Sequence, residues 1–120
     1  MARKPAPKLK TLPQSGEVVT VDFPGITGIK GRPALIVSTN FYHSVRSDVI
    51  IGILTSQIQD ASTETDYVLK NWKGVGLHQP TALRTLLVTV PLASVTVIGQ
   101  LTHRDWQEVL IRLKRSLSLV

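Results

Sequence analysis

A helical apolar period occurs only once in this chain of 120 residues, and it comes at the end. Everything before it reads as short strand-forming runs separated by glycine, proline and polar clusters. Parallel strands need crossover connections of a dozen or more residues, usually helical, and no such βαβ rhythm is present. The chain is therefore restricted to antiparallel pairing. Glu17 to Phe23 alternates Val19, Val21 and Phe23 against Val18, Thr20 and Asp22, the period-two pattern of a half-buried strand. Pro24 to Gly31 is a glycine-rich loop, and Ala34 to Thr39 is the second strand. Asn40 to Ser47 reads as a turn-rich connection, and Val49 to Leu54 as a continuous apolar, central strand. Short strands are expected at Thr65 to Leu69 and at Ser94 to Ile98, with a longer one at Thr81 to Val90.

The closing segment differs. Thr102 offers a hydroxyl N-cap with Asp105 three residues on, a variant of the capping box. Trp106, Val109, Leu110, Leu113 and Leu117 then recur at helical spacing, and Arg112, Lys114 and Arg115 crowd the last turns, where the helix dipole favours cations. The expected architecture is mainly β: a small twisted antiparallel barrel of five or six strands, with one C-terminal helix covering an opening. Residues 1–14 carry three prolines and four basic side chains and read as a flexible basic arm, leaving 15–120 as a single domain.

The formal net charge of +6 points to a polyanionic partner, nucleic acid before acidic protein. With no cysteine, disulfides, thiolate zinc sites and thiol catalysis are excluded. No apolar run reaches the roughly 18 residues that span a bilayer, and no apolar stretch follows the basic N-terminal segment, so a cytoplasmic protein without a signal peptide or membrane contact is expected. His43, His78 and His103 do not sit at metal-ligand spacing, so neither a metal nor a cofactor is expected. Ser38, Ser56 and Ser94 lack a nucleophile elbow, and no glycine-rich loop has Walker spacing.

What remains is a cation and two hydroxyls at strand ends. Lys30-Gly31-Arg32-Pro33 leads into a strand; Pro33 fixes its own φ and biases Arg32 toward an extended conformation, holding the guanidinium at the strand mouth. An arginine so held can fork onto a phosphate. The apolar strand ends in Thr55-Ser56. RNA carries its own nucleophile in the 2′-OH, so its cleavage needs no enzyme nucleophile or metal, only charge stabilisation and proton movement. Alternatively, Thr55 caps a strand end and Arg32 forms a surface salt bridge.

The ordered set Gly16 to Phe23, Gly31-Arg32-Pro33-Ala34-Leu35-Ile36-Val37-Ser38 and Asp48 to Ser56 resembles the MazF/PemK toxins of toxin–antitoxin modules, with Gly76 to Arg84 similar to the family's later strand. The resemblance implies an SH3-like barrel that forms a homodimer. It also implies a metal-independent endoribonuclease that cuts single-stranded RNA, mRNA included, at short sequences. Such enzymes leave 2′,3′-cyclic phosphate and 5′-hydroxyl ends, and an acidic antitoxin neutralises them and joins them in binding DNA. Residue by residue, it assigns catalytic roles to Arg32, Thr55 and Arg84, the last matching an arginine that some members use as proton donor. Some members carry an aspartate two residues after that arginine as general base; here the position is Leu86. Arg84 has an alternative of its own, pairing with Asp66 or Glu64. Lys30, Ser56, Lys70, Trp72, Lys73 and His78 are candidates for gripping RNA, with Trp72 as the stacking platform. Two rival readings remain: a catalytically impaired homologue that binds RNA or antitoxin, and a CcdB-like poison of a protein target. The second would share the barrel, but the chain ends Ser118-Leu119-Val120 where that family depends on Trp-Gly-Ile.

Overall fold

Antiparallel pairing organises the whole molecule. The computed structural model describes residues 12–22 and 31–119. It contains strands β1 (Glu17–Val21), β2 (Arg32–Ile36), β3 (Asp48–Thr55), β4 (Tyr67–Val68), β5 (Ala82–Pro91) and β6 (Val95–Gln100), with helices α1 (Asn40–Val45) and α2 (His103–Ser116). The strands form one sheet in the order β4-β5-β3-β2-β1-β6. Most of the expected arm, the glycine-rich loop, Phe23 and Lys30 lie outside the described residues.

The expected barrel takes the form of a curled sheet that hydrogen bonds do not close. β4 and β6 are its two ends, and the gap is spanned by packing. A 3₁₀ turn at Lys73–Val75, just after β4, lies on β6 so closely that a Cβ at Gly99 would stand 2.5 Å from the Val75 carbonyl oxygen. Glycine at position 99 is what allows this approach.

Both faces of the central strands are covered. Val18, Leu35, Leu54 and Leu83 pack with Val109 and Leu113 of α2, while Val19, Val21, Ala34, Ile36, Val49 and Ile51 form a second cluster. β1 is thus buried on both faces along Val18–Val19, not half-buried as its alternation suggests, because the sheet curls over its own second face.

The helix α2 starts where its cap signals: the Thr102 hydroxyl accepts the Asp105 N–H at 3.2 Å. Val109 and Leu113 are buried, with Trp106 and Leu110 packed beside them. Leu117 falls past the last turn and is exposed. The acidic half of the capping box is spent elsewhere. Asp105 is fully buried, and its carboxylate accepts the Tyr67 hydroxyl at 2.6 Å and the N–H groups of Lys70 and Asn71 at 3.1 and 3.0 Å. One buried charge therefore fastens α2 to β4 and to the loop that follows. Three donors satisfy it, which makes burial of the charge tolerable.

The segment expected to be a turn-rich connection contains α1. Thr39 caps it by accepting the Tyr42 N–H at 3.2 Å, so Phe41 and Tyr42 are helical, not loop residues. The six-residue helix buries only His43, leaving Phe41 and Val45 exposed, and so shows no amphipathic period. His43 Nε2 lies 2.5 Å from the Ser38 hydroxyl, which also accepts the Ile50 N–H at 2.9 Å. Both side chains are buried, so this serine–histidine contact ties β2, α1 and β3 together and faces no substrate.

Asp105→Asn would remove the charge and turn an amide donor toward backbone N–H groups. It is expected to lower stability by roughly 2–3 kcal/mol, read from urea unfolding midpoints. Burial first, and the neighbouring Asp105 carboxylate second, push the Tyr67 phenol above its ordinary range. A raised acid contributes stability that is fully present below its unfolded pKa, about 10, and that is lost as pH climbs past it. The wild type should therefore lose stability above that pH more steeply than Tyr67→Phe, as measured by thermal melting across the alkaline range.

Candidate active site

The β2–β3 ladder pairs Ala34 with Ile53, Leu35 with Gly52 and Ile36 with Ile51. Continued two residues, the same register sets Arg32 opposite Thr55. Residues two apart along a strand share a face. Arg32 therefore follows Ala34 and Ile36, and Thr55 follows Ile51 and Ile53, on one side of the sheet. Both line a cleft of about 700 Å³, together with Ser56.

Local backbone aims the arginine. Gly31 has φ +64°, a left-handed conformation that side chains disfavour, and its N–H donates to Asp22 Oδ1 at 2.7 Å. That bond joins the end of β1 to the start of β2, and Pro33 follows at once. Arg32 is exposed and forms no ion pair with a described residue; the ion pairs among these are Arg46–Asp48 and Arg112–Glu108. The salt bridge weighed for Arg32 is not formed with them. Thr55 Oγ1 accepts the Gln57 N–H at 3.0 Å, so its strand-end capping role is real. The capped hydroxyl still has its own O–H to donate, and Thr55 lines the cleft.

The cleft is lined further by Gly76 to Gln79, by Thr81 and by Ile98 of β6. Gly76, with φ +89°, reverses the chain after the 3₁₀ turn; Leu77 N–H bonds the Trp72 carbonyl at 3.3 Å, and the Thr81 hydroxyl bonds the Gln79 carbonyl at 2.8 Å. His78 lies between these two anchors and lines the cleft. The polar side chains of Thr20, Gln57 and Gln79 also reach it. The sequence singled out none of the three. Their only signal is adjacency: Gln57 follows the hydroxyl pair, and Gln79 sits between His78 and Pro80.

The remaining candidates do not join this group. Between the pairs Gly52–Leu87 and Leu54–Leu83, three residues of β5, Arg84, Thr85 and Leu86, stand against Ile53 alone. This bulge carries Arg84 away from the cleft lining and leaves Leu86 exposed. Arg84 pairs with neither Asp66 nor Glu64: the Asp66 carboxylate takes Thr63, and the Glu64 carbonyl takes Arg115. Lys70 and Lys73 are exposed, but neither lines the cleft. Trp72 is half-buried against the α2-side core, with the Lys73 ammonium 5.7 Å from its ring centroid, so it is not a free stacking face. Lys30 lies outside the described residues.

Among the described residues no helix is long and apolar enough to cross a membrane. A search of curated proteins returns no match. Solved structures do match. An endoribonuclease in complex with its cognate antitoxin from Mycobacterial species aligns at TM-score 0.72 and 20% identity, over 90% of this chain and 97% of that one. A MazE-MazF structure from Deinococcus radiodurans aligns at TM-score 0.71 and 20% identity, over 91% and 98%. A MazF toxin from Mycobacterium tuberculosis aligns at 0.67 and 16%, over 83% and 94%. At these identities the likeness concerns the fold. Membership rests on the family model for PemK-like, MazF-like toxins of type II toxin–antitoxin systems, which matches residues 14–117. The chain belongs to that family.

Proposed function

We propose that this protein is a metal-independent endoribonuclease toxin that cuts single-stranded RNA, mRNA included, at short sequences. The observation that carries the reading is a guanidinium with no ion pair to a described residue and a strand-end hydroxyl lining one cleft, in a chain of the MazF/PemK family. In the reaction, the 2′-oxygen of the substrate attacks the adjacent phosphorus. The P–O5′ bond breaks, leaving a 2′,3′-cyclic phosphate and a 5′-hydroxyl. Negative charge grows on the non-bridging oxygens during the attack. Arg32 meets that charge with fixed N–H donors. Thr55 donates its hydroxyl to a phosphate oxygen, and Ser56 lies next along the same strand end. Arg84, outside the cleft, contributes positive potential and not a proton, because a guanidinium stays charged. Lys30, Lys70 and Lys73 hold the RNA backbone.

The partner would be an acidic antitoxin. The net charge of +6 suits one, and the matched structures include toxin–antitoxin complexes. A cytoplasmic homodimer completes the reading, with 15–120 as the toxin domain behind a basic arm.

Incubating the purified protein with a single-stranded mRNA transcript tests this directly. Cleavage should persist in EDTA and yield cyclic-phosphate and 5′-hydroxyl ends. Arg32→Ala should slow it about 100- to 1,000-fold while the melting temperature stays put, since the side chain is exposed. A wild-type rate in that variant would remove Arg32 from the mechanism. A wild type that binds the transcript without cutting it would leave an RNA-binding homologue instead.

A further inference from the structure

Attack by a 2′-OH requires a group to take its proton. The aspartate that some members of the resembled family carry is absent here, and its position, Leu86, lies on the bulge of β5 and does not line the cleft. The cleft lining answers the question by its composition. Its described lining comes from β1, β2, the end of β3, the 76–81 loop and β6, and among these described residues only Arg32 and His78 are ionisable. No described aspartate or glutamate lines it. A guanidinium carries no acceptor, whereas a neutral imidazole has one and can exchange a proton between about pH 5 and 8.

We propose that His78 is the general base of the cleavage reaction, an inference that rests on the endoribonuclease reading above. The imidazole accepts the 2′-OH proton as the 2′-oxygen bonds to phosphorus. The 5′-oxygen leaves and takes a proton from water, and the imidazolium returns its own to bulk solvent. Arg32 and Thr55 line the cleft from the β2 and β3 strand ends and His78 lines it from the 76–81 loop, so charge stabiliser and base reach one space from separate elements. The loop is not free to drift. Leu77 and Gln79 are anchored immediately on either side of His78, and Asp105 fixes the segment from which the loop springs. Exposure of the imidazole keeps it in exchange with solvent, as the return of the proton requires. The other charged group lining the cleft, among the described residues, is Arg32.

The test is a pH–rate profile for cleavage of a single-stranded mRNA transcript under single-turnover conditions with saturating protein. The wild type should rise with pH through an inflection to a plateau. His78→Ala and His78→Gln should be slower by about 100- to 10,000-fold, bind the transcript within about twofold of wild type, and lack that inflection. Imidazole added to the buffer should restore part of the rate to His78→Ala and none to Arg32→Ala. Retention of the wild-type inflection in either His78 variant overturns the assignment. So does a loss confined to RNA affinity, which would make His78 a binding residue only. If the wild type cuts no transcript, the endoribonuclease reading itself fails and takes this one with it.

Discussion

The register between β2 and β3 is the constraint on which the site depends. Ala34 against Ile53 and Ile36 against Ile51 fix it from one face, and Leu35 with Leu54 from the other. A slip of one residue would turn every side chain to the opposite face. Because both faces are packed, neither tolerates that exchange. The price of such certainty is a stretch of sequence with almost no polar residue, and the benefit is at its end: where the packed pairs stop, Arg32 and Thr55 emerge side by side.

The 76–81 part of the cleft lining is fixed by different physics. It is a loop whose Leu77 packs on the α2-side core beside buried Val75, and directed hydrogen bonds complete its placement. The buried Asp105 carboxylate takes two backbone N–H groups and the Tyr67 hydroxyl, so the C-terminal helix positions the segment leading to Gly76–Thr81. Gly99 lets that segment lie against β6. Strand register places Arg32 and Thr55, and a buried, hydrogen-bonded carboxylate places the segment that leads to His78.

These two kinds of constraint differ in how visible they are in the sequence. Strands and α2 were legible because apolar residues repeat at the periods the backbone imposes, and Arg32, Thr55 and Ser56 because proline and hydroxyl punctuation marks strand ends. Helix α1 escaped notice since a six-residue helix with two exposed apolar side chains has no period to read. Asp105 looked like half of a capping box, as its long-range partners, Tyr67, Lys70 and Asn71, lie more than thirty positions away. The position of Arg84 hung on a bulge, which alternation cannot announce. Trp72 packed inward against the core, a fate its flanking lysines did not reveal.

In the proposed reaction Arg32 and Thr55 act on the same phosphate. The decisive measurement is a double-mutant cycle: single-turnover RNA cleavage by wild type, Arg32→Ala, Thr55→Val and the double variant. Groups working as a unit give strongly non-additive losses, so the double variant should be scarcely slower than the slower single one. Losses that multiply would mean two independent contributions, contradicting a shared site.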